Sequence, residues 1–317
     1  MKAVTPASML AAGVFASFAM GGGALSAEQT TQLDAAALDA WWDFQRPDVS
    51  ESRFRAELVR LAPGSPAALE LKTQIARAEG LQRKFAAALA TLDDVEKALP
   101  GATPRARVRY LLERGRVFNS SGAPEKAVPL FRDALDGARS AGEDFLAIDA
   151  AHMLGIAAPA AQQLEWNLEA LAMTQSTHDA RSRRWLASLY NNIGWTYHGR
   201  GDFAIALEYF EKALPAWEER GGSSNVRAAR WAIARCLRSL ERYDDALAIQ
   251  RALLEELQRT GEVDGYVFEE LGELHLARDD AAAAKPWFGK AYAVLSQDAG
   301  LQATEPARLE RLRRLGD

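Results

Sequence analysis

The side chains suited to metal, nucleophilic or acid–base chemistry are few, and their spacing supports none of the three. His152, His178, His198 and His275 lie too far apart for a short ligand motif. Cys236 is the single cysteine, so neither an intramolecular disulfide nor a thiolate metal site can form. Glu269 and Glu273 share a helix face at i, i+4, but in so charged a stretch they read as a solvated face rather than an acid/base pair. There is no glycine-rich phosphate loop followed by Lys and Ser or Thr, and no G-x-S-x-G elbow. No catalytic residue, metal or cofactor is expected. A helical-repeat enzyme, or a regulatory subunit acting in an envelope pathway, is the alternative to a binding protein.

Recognition chemistry is better represented. Arg116 and Asn119, then Asn191, Asn192, Trp195 and His198, then Trp231, Arg235 and Arg238 supply guanidinium and amide donors beside indole faces. Such a set suits an extended acidic segment or a chain-terminal carboxylate, because the donors bond carboxylates while the indoles cover apolar side chains. The same residues also suit packing between helices: the asparagines bonding neighbours, the tryptophans filling gaps, the arginines staying solvated.

The elements that must position them are helix pairs. In Leu189 to Trp217, Tyr190, Ile193, Gly194 and Tyr197 fall on one face of a first helix, and Ala206, Phe210 and Ala213 on one face of a second. Asp202 suits the cap between them. Glycine and alanine let the two backbones approach while the aromatics fill the space beside them. The pattern recurs with Leu111, Gly115, Phe118, Ala127, Phe131 and Ala134, and with Phe268, Leu271, Gly272, His275, Ala284, Phe288 and Ala291, where His275 takes an aromatic slot in the core. Weaker copies surround Ala88 and Ala246, and one with a shortened turn at Pro159 follows Gly155, its aromatic displaced to Trp166. The marker alanines 88, 127, 206, 246 and 284 are separated by 39, 79, 40 and 38 residues, where 79 is two units.

This unit resembles the tetratricopeptide repeat, W-x2-L-G-x2-Y followed by A-x3-F-x2-A. The resemblance implies an all-α, right-handed α-α superhelix of about six to seven hairpins plus a C-terminal capping helix, whose first helices line a concave binding face. It implies a non-catalytic scaffold whose partner is another protein or peptide. Asn192 followed by Arg235 resembles part of the family's carboxylate clamp, without its paired lysines.

Residues 1–27 read as a signal peptide: Lys2, an apolar stretch from Met9 to Met20, then small residues to Ala27. That stretch is shorter than the roughly 20 residues that span a bilayer. A periplasmic or secreted protein cleaved near Ala27, without membrane insertion afterwards, is expected. Residues 30–62 form a degenerate leading helix pair, 63–303 the repeat array, and 304–317 the capping helix, with Thr304 placed to cap it and Pro306 in its first turn. The net charge of −5, with the signs interleaved, argues against nucleic acid as partner.

Overall fold

The computed structural model describes residues 33–317 and is all-helical throughout them; the expected signal segment lies outside the described residues. The described chain divides into two compact units, unit 1 being residues 33–196 with 215–222 and unit 2 residues 197–214 with 223–317.

Unit 1 opens with α1 (Ala35–Trp41) and α2 (Pro47–Leu58), followed by the hairpins α3 (Pro66–Leu81) with α4 (Phe85–Ala98), α5 (Pro104–Ser120) with α6 (Pro124–Ser140), and α7 (Asp144–Ala157) with α8 (Ala160–Ser176). A 3-10 segment, Ala180–Trp185, leads into α9 (Leu186–Arg200), which crosses into unit 2. Unit 2 takes most of α10 (Phe203–Arg220), then α11 (Ser223–Ser239), α12 (Tyr243–Thr260), α13 (Gly265–Ala277), α14 (Ala281–Leu295), α15 (Ala299–Thr304) and α16 (Pro306–Gly316).

Local chemistry starts these helices. Ser65 and Thr103 accept from the Ala68 and Ala106 amides at 3.2 Å, each just ahead of a proline at the first helical position. Asp264 and Asp280 cap α13 and α14 in the same way, at 2.8 and 3.0 Å. Pro47 starts α2 rather than merely splitting the leading pair. Thr304 does not cap the final helix: α15 precedes it, the Thr304 hydroxyl donates to the Gly300 carbonyl within α15, and Glu305 is the residue before Pro306.

The repeat shows most clearly in the backbone. Arg83, Gly122, Gly201, Glu241 and Asp279 all adopt a left-handed conformation, φ between 60° and 87°, in the turn between paired helices. Each lies five residues before a marker alanine, and Ala88, Ala127, Ala206, Ala246 and Ala284 are all buried. One left-handed residue is what lets an α-helix stop and reverse within a few residues. The α7–α8 turn lacks it and runs through extended Ala158 and Pro159. There Asn167 occupies the alanine slot and donates Nδ2 to the Gly155 carbonyl at 3.1 Å, so a hydrogen bond replaces the apolar crossing.

The small-against-large logic is realised in both units. The backbone at Gly115 lies so close to Phe131 that a β-carbon would sit 2.4 Å from the ring, and one at Gly272 would sit 2.9 Å from Phe288; both rings are fully buried. His275 departs from the expected core role, since it is half-buried with its Nδ1 3.9 Å from Asp280 at the hairpin turn. Cys236 is fully buried and its thiol donates to the Phe203 carbonyl at 3.2 Å, while burial pushes its pKa up to about 11. The thiol is therefore inert packing.

Candidate functional site

First helices in adjacent hairpins are neighbours, and their off-core residues meet one repeat apart. That geometry gives several inner-face arginines carboxylate partners within the chain. In unit 1, Arg109 Nε donates to Glu70 at 3.1 Å, and Arg116 pairs with Glu113 at 2.7 Å and with Asp149. In unit 2, Arg238 holds Glu270 through two bonds of 2.6 and 3.2 Å, and Arg235 lies 3.8 Å from the same carboxylate. The groove glutamates are engaged too: Glu269 takes Arg308 and Glu273 takes Arg311, both from α16, which packs on α14 and reaches α13 through these pairs.

The remaining sequence-nominated residues fall as follows. Asn119 and Asn191 are half-buried; Asn192 is buried with Nδ2 lacking a partner; Trp195 is half-buried at the end of unit 1. In unit 2, His198 Nε2 and Arg235 Nη1 both meet the Ser239 hydroxyl, at 3.0 and 3.1 Å, and the Trp231 indole donates to the Tyr266 carbonyl at 3.1 Å. Burial, reinforced by the cations of Arg235 and Arg238, lowers the His198 pKa to about 4, so it is neutral at physiological pH.

Unit 1 contains a cavity of about 100 Å³ that the sequence reading did not single out. Its walls come from α1 and its link to α2, from the first helices α3, α5 and α7, from the 3-10 segment before α9, and from the end of α10; none comes from α4, α6 or α8. First helices thus carry the inner face, as the repeat register requires. Five arginines line the cavity, Arg77, Arg109, Arg181, Arg184 and Arg220, against three carboxylates, Asp39, Glu113 and Asp149. Trp42, Phe44, Phe145 and Trp185 supply the apolar part of the wall.

Each cation is held in place. The Arg77 guanidinium lies 5.5 and 5.4 Å from the centroids of Trp42 and Phe44, rings that stack at 4.6 Å. Arg181 lies 3.8 Å from the Phe145 centroid. Arg220 rests on Trp217 at 5.1 Å and donates to the Arg184 carbonyl at 3.3 Å, with no carboxylate in ion-pair range among the described residues. Arg109 is 5% exposed, and its Nη2 has no hydrogen-bond partner. The Trp185 indole N–H and one Glu113 oxygen are also buried without partners.

The electrostatics carry the mark of excess positive charge. Burial lowers the pKa of Arg77, Arg109 and Arg220, and neighbouring arginines push each down further. Burial alone would raise the Asp149 carboxyl, yet Arg116 and Arg77 outweigh it and hold that group below the usual carboxylate range. An anion bound here would relieve that repulsion and satisfy the open donors. No group of three or more metal-ligating side chains occurs among the described residues. The sequence signal that could have found this site was Arg181–Arg184, a basic run just before the clearest repeat; its ion-pair partner Asp39 lies 142 residues from Arg181, beyond any local pattern.

Stacked helix hairpins with a polar inner face define an α-helical repeat protein. The family model described as tetratricopeptide repeat matches residues 160–219, so that stretch is of this repeat type and the helix pairs around it have the fold of such repeats. Solved structures agree on the fold. The apo form of RapI superposes with a TM-score of 0.63 at 12% identity, over 78% of this chain and 94% of that one. BtubC (BKLC) from P. vanneervenii gives 0.56 at 17% identity, over 69% and 93%. A tetratricopeptide repeat protein from Parabacteroides merdae ATCC 43184 gives 0.53 at 15% identity, over 89% and 96%. No curated protein matches the chain in sequence.

Proposed function

We propose that this protein is a non-catalytic scaffold that holds an acidic segment of another protein, with the unit 1 cavity as its grip. The observation that carries this reading is the excess of guanidinium over carboxylate groups in a cavity walled by aromatic rings, with the buried Arg109 Nη2 left open. The acidic partner inferred from the sequence is retained, but its main anchor moves from Arg235 and Arg238, which Glu270 already occupies, to Arg77, Arg109 and Arg220. Asn191, Asn192 and Trp195 are kept as candidate flanking contacts in unit 1, and His198 and Trp231 as candidates in unit 2. Charge-assisted bonds contribute roughly 1.5–3 kcal/mol each, so two or three support affinity on the order of micromolar after ordering costs.

Export is part of the proposal, supported by the arrangement of residues 1–27, and N-terminal sequencing of the mature chain tests it. The scaffold reading is tested by affinity capture from an envelope extract, using the mature chain and its Arg220→Glu variant, with Arg60→Glu as an exposed control. A stoichiometric partner that is retained by wild type and by Arg60→Glu, and lost with Arg220→Glu or with added salt, is the expected result. Identical capture by Arg220→Glu removes the cavity as the grip.

A further inference from the structure

α1 is an odd wall for this cavity. The first helices of the repeats are 13 to 17 residues long, whereas α1 has seven, fewer than the roughly 12–15 residues an isolated helix needs to persist in water. It belongs to no regular hairpin, yet it reaches across to the far wall. Asp39 accepts from Arg181 Nε at 3.0 Å, from Arg181 Nη2 at 2.7 Å and from Arg184 Nη1 at 2.8 Å. On either side of this acid, Leu38 and Trp42 are buried against α2 and α3, with the Trp42 indole donating to Gln74 at 3.2 Å.

So a short segment of the chain itself, α1 and the extended Trp42 that ends it, already lies against the arginines of this site, its acid toward the guanidinium groups and its indole packed on α2 and α3. The arrangement is the one the proposed function requires of a partner. Asp39 remains about one-fifth exposed, as does Arg181, so the ion pair is open to competition from solvent and from another carboxylate.

We propose that α1 with the Trp42 that follows it is a resident surrogate for the partner, a displaceable strap whose Leu38, Asp39 and Trp42 occupy the positions that a partner segment takes when it binds. The inference rests on the scaffold reading and sharpens it. The partner segment is a short helix carrying an aliphatic residue next to an acidic one, followed three residues after the acid by a large aromatic where the helix ends. Binding exchanges one such helix for another, so affinity in the intact chain is reduced by the fraction of time α1 stays docked.

The test uses the full chain and a fluorescein-labelled peptide of its own residues 33–45, supplied in trans. Hydrogen exchange reads whether α1 is docked, and fluorescence anisotropy reads the peptide. Asp39→Lys is expected to speed exchange across residues 37–42 at least tenfold and to tighten peptide binding at least tenfold over wild type. Arg181→Glu with Arg184→Glu also frees α1 but abolishes peptide binding, because the peptide's own acid has lost its partners. The charge swap Asp39→Lys with Arg181→Glu restores protection of α1, which shows that Asp39→Lys acts through this pair and not through misfolding. Unchanged exchange in Asp39→Lys, or a released α1 without any gain in peptide binding, overturns the strap. In the first of those cases, continued loss of the partner in Arg220→Glu leaves the scaffold reading standing.

Discussion

Replacing Gly115 by alanine puts a methyl carbon 2.4 Å from Phe131 Cε1 and 2.8 Å from both Cδ1 and Cζ. The ring is fully buried between α5 and α6, so it has no free volume to turn into and the two helices must part. Overpacking of this kind costs roughly 1–3 kcal/mol, and three ring carbons in contact place this site at the upper end. Against that, alanine improves the intrinsic helix propensity of α5 by about 1 kcal/mol. The net expectation is a loss of about 2 kcal/mol, a fall of roughly 5 °C in the Tm of a cooperative unit of this size. Urea and thermal unfolding followed by circular dichroism measure it. Gly80→Ala is the control with opposite sign: the nearest atom to its new methyl is Val117 Cγ2 at 3.6 Å, ordinary contact, so propensity wins and the variant gains up to about 1 kcal/mol. Gly272→Ala, 2.9 Å from Phe288, lies between the two and acts in unit 2. A Gly115→Ala protein as stable as wild type would show that the close helix crossing is not what fixes the hairpin.

Three further outcomes follow from the charged interior. Burial, reinforced by Arg116 and only partly offset by Asp149, lowers the His152 pKa from 6.5 to about 4, so between those values the unfolded chain binds the proton and the folded chain does not. Stability is therefore full above pH 6.5 and falls as pH drops toward 4, by on the order of 3 kcal/mol at most; His152→Gln should flatten that slope in pH-dependent urea midpoints. Glu270→Gln strips Arg238 of its bidentate partner and should cost about 2–3 kcal/mol in the unfolding of unit 2, the Arg238 side chain being 18% exposed, whereas Arg238→Met with Glu270→Leu should recover most of the loss. Glu241→Gly should stabilise unit 2 by a few tenths of a kcal/mol up to about 1, because φ is 60° at that turn; an unchanged urea midpoint would count against strain there.

The hairpins were legible from the chain because each is a local event. The spacing from Gly115 to Ala127 and Phe131, repeated at Gly272, Ala284 and Phe288, is a statement about two helices and one turn, and the structure places both sets in contact as expected. The irregular α7–α8 pair was recognised as irregular, but the reason was not available from pattern, since it is the hydrogen bond from Asn167 to the Gly155 carbonyl. His275 was misplaced for a related reason: a position that is aromatic in one copy and histidine in another has its burial set by the neighbouring turn, here by Asp280.

Register also nominated inner-face residues, Arg116, Arg235 and Arg238 among them, but none of these arginines lines the unit 1 cavity. It could not say which of them were already paired. Whether Arg116 or Arg238 meets a ligand or an internal carboxylate depends on a partner 33 or 32 residues away, on the first helix of the next pair.

Periodic spacing of small and bulky side chains was enough to specify helix pairs, their turns and their repeat, because those features rest on contacts within about forty residues. The closing of α1 over the unit 1 cavity, the surplus of guanidinium groups inside it and the pairing of the remaining arginines arise between segments as far as 145 residues apart. Charge compensation is decided by distances in space, and only the packed chain sets those distances.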